Sequence, residues 1–199
     1  MRYTVFCGSS SGTKDVFLEQ AFSLGKCLAQ DNIGLVYGGA KVGLMGAVAD
    51  GVLKYNGEVI GVLPTFLGDV ELGHSGLTEL ILVETMHERK AKMDELSDGV
   101  IAMPGGYGTL EEFFEMLTWA QLGLHKKPVA LLNIDGFYNP LLQMIDNMVS
   151  NDFLKQVNRD MIVVADSVTD LLIKMRSYEA PKEGKWIKKE KDEKSFDNR

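Results

Sequence analysis

Residues 104–112, PGGYGTLEE, place three glycines within four positions, immediately before a predicted helix that opens with Glu111 and Glu112. A turn between a strand and a helix does not require so much glycine, whereas a ligand that approaches the backbone closely does. The N-terminus of the following helix offers free N–H groups to an anion. The stretch therefore predicts a site for an anion such as a monophosphate beside a carboxylate. The alternative is a tight turn with no ligand.

Thr109 and Glu112 also have the spacing of a capping box, in which a threonine caps the helix and a glutamate three residues later bonds back to it. This interpretation makes Glu112 a structural residue, with Glu111 favouring the positive end of the helix dipole. Thr85 and Glu88 repeat the pattern upstream. The apolar spacing predicts that the helix after the glycine loop buries one face, formed by Leu110, Phe113, Phe114, Leu117 and Leu124.

Arg89 interrupts an apolar stripe in the segment ETMHERKAKMDELSDG. Met86 and Met93 fall on one helical face, and Arg89 occupies the step between them. A buried arginine needs a carboxylate or phosphate partner, because an unpaired buried charge is very costly. The alternative is that its aliphatic stem packs while the guanidinium reaches water. The neighbouring Lys90 and Lys92 are predicted to be solvated.

Two further glycine-rich loops, CGSSSG and YGGAKVGLMG, follow the first and second predicted strands. Neither is a G-x-G-x-x-G fingerprint, and Leu44 and Met45 stand where a Walker A loop has its lysine and hydroxyl residue. NAD binding and ATP hydrolysis are therefore disfavoured. His87 precedes a glutamate, but HERKA is not H-E-x-x-H, so no metal site is predicted. Cys7 is interpreted as a small buried hydrophobe rather than a nucleophile.

Short apolar runs alternate with helical patterns along the chain. Seven runs are strand candidates, namely YTVFC, IGLVYGG, EVIGVLP, ELILVE, GVIAMPGG, KPVALLNI and MIVVAD. Because most are followed by an amphipathic segment, the order predicts an α/β fold with a Rossmann-like, doubly wound parallel sheet. Ligands of such sheets bind beyond the carboxyl ends of the strands. Much of the glycine lies in those loops.

At 199 residues with 45% hydrophobic content, the chain fits a single domain over residues 1–180, followed by a charged, flexible tail at 181–199. Of 21 basic and 28 acidic residues, 7 and 5 lie in that tail, which leaves a net charge of −9 on residues 1–180. So acidic a body is a poor binder of nucleic acid. Two cysteines, no signal peptide pattern and no membrane-spanning run predict a cytoplasmic protein.

The combination of PGGYGTLEE, MHERK and YGGAKVGLMG resembles the LOG (Lonely Guy) family of cytokinin riboside 5'-monophosphate phosphoribohydrolases, many of them once labelled possible lysine decarboxylases. The likeness runs over residues 2 to about 178 in order and spacing. It implies hydrolysis of the N-glycosidic bond of an N6-modified adenosine monophosphate, or of AMP, to the free base and ribose 5-phosphate. It also implies a homodimer with the site near the subunit interface, and neither a metal nor an organic cofactor.

The same resemblance assigns the catalytic pair to Arg89 and Glu112. Its phosphate loop falls on Gly105, Gly106, Gly108 and Thr109, and further substrate contacts fall on Ser9, Gly39, Met86 and Lys90.

Cleavage of a C1'–N9 bond passes through an oxocarbenium-like sugar, which favours a nearby carboxylate. Glu112 could stabilise that charge, orient the ribose or activate water, and Arg89 would contribute a fixed charge. Lysine decarboxylation is not expected, because the lysines of the ordered body occupy exposed-looking positions rather than a Schiff-base site. The alternative function is a binding protein that holds a nucleotide or a molybdopterin-like phosphate ligand without turnover.

Overall fold

The computed structural model describes residues 1–67 and 73–181. Seven strands form one parallel sheet: β1 (Arg2–Phe6), β2 (Gly34–Tyr37), β3 (Val59–Pro64), β4 (Glu79–Val83), β5 (Gly99–Ala102), β6 (Val129–Leu132) and β7 (Ile162–Ala165). The helices of the described ranges are α1 (Asp15–Gln30), α2 (Gly43–Lys54), α3 (Met86–Glu95), α4 (Tyr107–Leu122), α5 (Asn139–Ser150), α6 (Gln156–Arg159) and α7 (Val168–Arg176). The predicted single-domain, doubly wound parallel sheet is confirmed, with every strand candidate present.

The strand order is β4-β3-β2-β1-β5-β6-β7. The chain winds outward from β1 to β4 and then returns to place β5 on the other side of β1. Val5 pairs with Ile101 and Phe6 with Ala102, so that β1 and β5 end at the same level. The loops that leave these two strands lead to helices on opposite faces of the sheet, which is the position where open α/β sheets bind ligands.

Helices cover both faces of the sheet. Helices α1, α2 and α7 pack on one face, for example through Leu24 and Val48, while α3, α4 and α5 pack on the other, for example through Met93 and Phe113. Helices α1 and α2 approach closely because Gly25 has no side chain: a Cβ built there would lie 2.1 Å from the carbonyl oxygen of Val48. Burial on both faces explains the continuous apolar strands.

Two predictions about α4 are wrong. The helix begins after Gly106, its N-cap residue, and no side chain caps it. Thr109 therefore lies inside the first turn, and Thr109 and Glu112 do not form a capping box. Leu124 is 64% exposed rather than buried, because Gly123 adopts the left-handed conformation and ends the helix before it.

The start of α3 follows the sequence pattern. The Thr85 hydroxyl accepts a hydrogen bond from the backbone N–H of Glu88 at 3.1 Å, and the Glu88 carboxylate accepts one from the N–H of Glu84 at 2.9 Å. Lys90, however, is only 4% exposed, so its predicted solvation is wrong. The turn of α3 that carries Lys90 faces α4 rather than water.

The predicted tail, residues 181–199, lies outside the described residues apart from residue 181, and its flexibility stays a prediction. Among the helices that the structure describes, none combines the length and the apolar character needed to cross a membrane.

Candidate functional site

Three glycine-rich loops meet where β1, β2 and β5 end. The N–H of Gly8 donates to the carbonyl of Pro104 at 3.0 Å, and the N–H of Leu44 donates to the carbonyl of Gly8 at 3.1 Å. The contact with the second loop is close enough to require glycine at position 43, because a Cβ there would lie 2.3 Å from the Ser9 carbonyl. Gly43 also has a φ of 57°, which a larger residue adopts only under strain. The sequence-predicted grouping of the loops is thus observed.

A cavity of about 220 Å³ opens between these loops, α3 and α4. It brings together most of the sequence-predicted site residues. Its lining consists of Val5, Phe6, Cys7, Gly8, Ser9, Gly38, Met45, Met86, Arg89, Gly106, Gly108, Thr109 and Glu112.

Arg89 enters this cavity from α3 as a buried cation without an anionic partner among residues 1–67 and 73–181. The residue is 7% exposed, and its Nε atom has no hydrogen-bond partner in the part of the chain that the structure describes. Its Nη1 atom reaches only the sulfur of Met86, at 3.8 Å. A Cβ on Gly38 would lie 2.1 Å from Nη2, so that glycine leaves room for the guanidinium. The guanidinium points into the cavity rather than to the outer surface, and one that is buried without an anionic partner among the described residues favours an anionic ligand.

Glu112 enters the same cavity from α4 and is 8% exposed. Burial raises the pKa of this carboxyl to about 7, although the positive charge of Arg89 works in the opposite direction. Glu111 and Glu115 add to the rise, and Lys90 opposes it. Since a titratable group with a pKa near neutrality can take up and release a proton at physiological pH, Glu112 is suited to acid–base or charge-stabilising chemistry.

The N-terminus of α4 forms another wall of the cavity. With no side-chain cap, the first N–H groups of this helix are available to a ligand. A Cβ on Gly106 or Gly108 would meet no protein atom within 4 Å, and neither glycine has a positive φ. Nothing within the described fold therefore requires glycine at these positions. Space for a ligand against the backbone accounts for both.

Gly105 is glycine for a different reason. A Cβ there would lie 2.1 Å from the hydroxyl of Thr109 and 2.9 Å from the backbone nitrogen of Gly8. The residue faces an adjoining cleft of about 320 Å³ rather than the cavity itself. The cleft shares Gly8, Ser9 and Gly106 with the cavity and continues it past the loop after β1.

Two other predicted contact residues do not line the cavity. Gly39 has a φ of 84° and packs near Leu63 and Leu80, while its carbonyl accepts the N–H of His74 at 3.0 Å. It shapes the turn that lets its neighbour line the cavity. Lys90 points into the seam between α3 and α4, where both of its carboxylate partners lie on α4.

Several lining residues are not among the sequence predictions. Gly8, Gly38 and Met45 belong to loops that were recognised as glycine-rich, but nothing in their spacing shows which members face a ligand. Cys7 was correctly interpreted as buried. Burial, with Glu112 nearby, raises the pKa of its thiol, which disfavours the nucleophilic thiolate.

A wider depression of about 680 Å³ lies at the opposite end of the sheet, around Met1 and Arg2. Its arginine, Arg2, is already paired, with 2.7 Å between Nε and a Glu58 oxygen. The depression is therefore a weaker candidate for an anion site than the smaller cavity. Within residues 1–67 and 73–181, no group of three His, Cys, Asp or Glu side chains is placed to hold a metal ion.

The perturbed carboxyl of Glu112 generates a stability prediction. Its folded-state pKa lies above the value of about 4.3 of an unfolded chain, so the folded protein binds the proton more tightly. Ionisation of Glu112 therefore lowers the free energy of unfolding. The loss is small below about pH 4 and reaches its full size above about pH 7. We expect Glu112→Gln to raise the free energy of unfolding by about 2 to 3 kcal/mol more at pH 8 than at pH 5.

Denaturant unfolding at both pH values would measure this difference. Glu19→Gln is the matched control, because it removes an exposed carboxylate from α1. Equal effects of Glu112→Gln at the two pH values would show that the Glu112 carboxyl is not perturbed.

The family model and the sequence relatives that match this chain point to the same family. The family model described as possible lysine decarboxylase matches residues 45–175. The probable cytokinin riboside 5'-monophosphate phosphoribohydrolase LOGL2 of Oryza sativa subsp. japonica is 48% identical over 190 residues, which cover 96% of this chain and 78% of the relative. The cytokinin riboside 5'-monophosphate phosphoribohydrolase LOG5 of Arabidopsis thaliana is 46% identical over 183 residues, with coverages of 92% and 80%.

Solved structures share the fold. The molybdenum cofactor binding protein from Rippkaea orientalis aligns with a TM-score of 0.67 and 25% identity, covering 88% of this chain and 95% of that protein. The molybdenum cofactor carrier protein from Chlamydomonas reinhardtii aligns with a TM-score of 0.68 at 22% identity, with coverages of 88% and 95%. The family model and the sequence relatives span most of the described sheet, and the chain belongs to the LOG family, to which the description possible lysine decarboxylase is attached.

Proposed function

We propose that this protein hydrolyses the N-glycosidic bond of adenosine 5'-monophosphates, with an N6-modified base or as AMP, and releases the free base and ribose 5-phosphate. The observation that carries the proposal is one cavity with three features: a buried Arg89 that has no anionic partner in the described part of the chain, a buried Glu112 whose pKa is near 7, and an uncapped helix N-terminus. The names of the plant relatives support the same reaction.

The 5'-phosphate would bind at the N-terminus of α4. Its oxygens would accept hydrogen bonds from the free N–H groups of the first turn, with the Thr109 hydroxyl at the same wall. Gly106 and Gly108 admit the phosphate to the backbone. Arg89 would contribute the fixed positive charge that its burial leaves without a partner among the described residues. Ser9 and Met86 complete the walls of the cavity, and Gly105 gives the loop its shape.

Glu112 would act as a carboxylate at the ribose. Positive charge develops on the sugar as the C1'–N9 bond breaks, and a buried anion stabilises it more strongly than one in water would. Water supplies the hydroxyl group that adds to C1', and its remaining proton ends on the departing base. Because the carboxylate is the active form, kcat/KM should rise as the pH passes through about 7.

Lysine decarboxylation does not fit this cavity, despite the description of the family model. Pyridoxal phosphate chemistry needs an unprotonated lysine that can form a Schiff base. The cavity lining contains no lysine. Lys90 is buried nearby, and burial alone would lower its pKa. The hydrogen bond to Glu111 and the ion pair with Glu115 outweigh that effect and raise the pKa, which keeps the ammonium protonated.

A binding protein that holds a nucleotide or a molybdopterin-like ligand is the second candidate, and the shared fold of the two molybdenum cofactor proteins is the observation in its favour. Fold alone does not establish function. Turnover separates the two candidates, since a carrier would bind the monophosphate and release no base.

The product assay is the direct test of the proposal. We expect AMP and N6-isopentenyl-AMP to yield free base and ribose 5-phosphate. The corresponding nucleosides should be cleaved with kcat/KM lower by ~10²-fold or more, because they leave the helix N-terminus and Arg89 unused. Lysine should give no cadaverine, with or without pyridoxal phosphate. Equal rates on AMP and adenosine would contradict the phosphate subsite, and binding without any product would favour the carrier.

Variants of the catalytic pair complete that assay. Glu112→Gln should lower kcat by ~10²-fold or more and remove the rise of kcat/KM near pH 7, while Glu19→Gln should leave both unchanged. Arg89→Ala should also abolish turnover, and Arg89→Lys should restore little, because the planar guanidinium is lost. Near-normal turnover by a folded Glu112→Gln protein would refute its catalytic assignment.

The open space beside Gly106 and Gly108 generates a separate prediction. Alanine at either position should leave stability unchanged or raise it by up to ~1 kcal/mol at position 108, which lies in the first turn of α4. The added methyl group should nevertheless raise KM for AMP by ~10-fold or more, since it occupies the space of the phosphate. Gly105→Ala is the contrasting variant and should destabilise the fold, because its Cβ would collide with Thr109. Unchanged KM in both open-space variants would move the phosphate elsewhere.

We also propose a homodimer, because α4 leaves apolar side chains uncovered beside the cavity. Tyr107 is 95% exposed, and Leu110, Phe114 and Leu117 are only half-buried. Exposed apolar surface next to a functional site is typical of an interface between subunits.

A cytoplasmic location is proposed as well, since Cys7 and Cys27 are both free thiols.

Sedimentation velocity at micromolar concentration tests the assembly. We expect a species of twice the 22.0 kDa chain mass, and Leu117→Arg should shift it to monomer by placing a charge in the interface. Phe153→Arg is the control, because Phe153 is 85% exposed beyond the end of α5. A wild-type protein that sediments only as a monomer would contradict the dimer.

A further inference from the structure

Lys90 joins the two helices that border the cavity, and within residues 1–67 and 73–181 it is the most buried lysine that forms an ion pair. Its side chain is 5% exposed, and its Nζ atom lies 2.5 Å from a Glu111 oxygen and 2.8 Å from a Glu115 oxygen. Lys90 belongs to α3 and both carboxylates belong to α4. Charge-assisted contacts of this length between buried and half-exposed groups fix the distance between the helices that carry them.

The bridge is adjacent in sequence to the proposed catalytic pair on both sides. Arg89 precedes Lys90, and Glu112 follows Glu111. Successive residues of a helix point about 100° apart, so Arg89 reaches the cavity while Lys90 points into the seam between α3 and α4. A displacement at the seam is therefore transmitted to both Arg89 and Glu112 over a single residue.

We propose that Lys90 is a positioning residue for the hydrolysis, which holds α3 and α4 together through Glu111 and Glu115 and thereby sets the separation and the electrostatic surroundings of Arg89 and Glu112. The proposal rests on the proposed function and replaces the direct substrate contact that the sequence resemblance assigned to Lys90. The position of Lys90 outside the cavity lining supports it.

The charges around Glu112 give the bridge a measurable signature. Arg89 and Lys90 face Glu112 from α3, Glu111 and Glu115 face it from α4, and the Cys7 thiol lies at the end of β1. Removal of the ammonium eliminates one attraction and leaves two carboxylates without their counter-ion. Both changes disfavour the ionised form of Glu112, so its titration should move to higher pH.

Lys90→Met tests the proposal, because methionine fills a similar volume without a charge. We expect kcat for AMP at pH 7 to fall ~10-fold or more, with partial recovery at higher pH, and the midpoint of the kcat/KM profile to rise by about one pH unit. KM should change by less than about threefold, since Lys90 does not contact the substrate. Lys90→Arg, which keeps the charge, should restore part of kcat.

A triple variant, Lys90→Met with Glu111→Gln and Glu115→Gln, separates positioning from substrate binding. Because it removes the unpaired carboxylates together with the ammonium, it should return the midpoint towards the wild-type value. A Lys90→Met protein with raised KM and an unmoved midpoint would show a substrate contact instead. Unchanged kcat, KM and midpoint would overturn the proposal outright.

A readout without turnover keeps the proposal testable if the wild-type protein proves to be a carrier. The pH-dependent part of the unfolding free energy that Glu112→Gln removes reports the Glu112 titration directly. In the wild-type background, Lys90→Met should move the Glu112-dependent change of the unfolding free energy to higher pH. In the Glu112→Gln background, Lys90→Met should cause no such movement, because the titrating carboxyl is absent. If Lys90→Met does not fold, Glu115→Gln gives the complementary comparison. It removes one carboxylate of the bridge and should move the Glu112 titration to lower pH, whereas Lys90→Arg, which keeps the charge, should leave it in place. An unmoved titration in Glu115→Gln would refute the positioning role.

Discussion

Burial of charge where α3 and α4 border the cavity is the constraint on which the arrangement of the site depends. Arg89, Lys90 and Glu112 are each at most 8% exposed, and a charged group in so dry an environment is stable only when other groups compensate for it. Lys90 finds two carboxylates at the seam. Arg89 finds none among the described residues, and the pKa of Glu112 rises towards neutrality instead. A fold that keeps such groups without full compensation has the character of a binding or catalytic site.

The topology of the sheet makes this arrangement possible. Because β1 lies between β2 and β5, the loops after all three strands meet at one edge, and backbone hydrogen bonds join them. Helix α4 then begins at that edge without a side-chain cap, directly beside the carboxylate it carries. The backbone thus supplies the anion site, and only a few side chains need to supply chemistry. Glycine serves two purposes here: close packing at Gly43 and Gly105, and open space at Gly106 and Gly108.

The family's older description and its solved structural relatives illustrate how far fold and function can separate. The sheet is shared with molybdenum cofactor proteins at TM-scores of 0.67 and 0.68, while the sequence relatives are named phosphoribohydrolases. The description possible lysine decarboxylase has no chemical support in the cavity, where a carboxylate and a guanidinium are present and an available amine is not. Function follows from the side chains at the edge of the sheet.

The sequence alone determined the strand runs, the parallel doubly wound sheet and the convergence of its glycine loops, because periodicity and loop position are local properties of the chain. It also singled out Arg89 and Glu112, since an arginine within an apolar stripe and a carboxylate after a glycine loop are visible without coordinates. Tertiary structure alone decided that Arg89 has no partner in the described fold, that Gly38 rather than Gly39 faces the cavity, and that Lys90 bridges two helices. These outcomes depend on which helix lies opposite each residue, and no pattern within one segment carries that information.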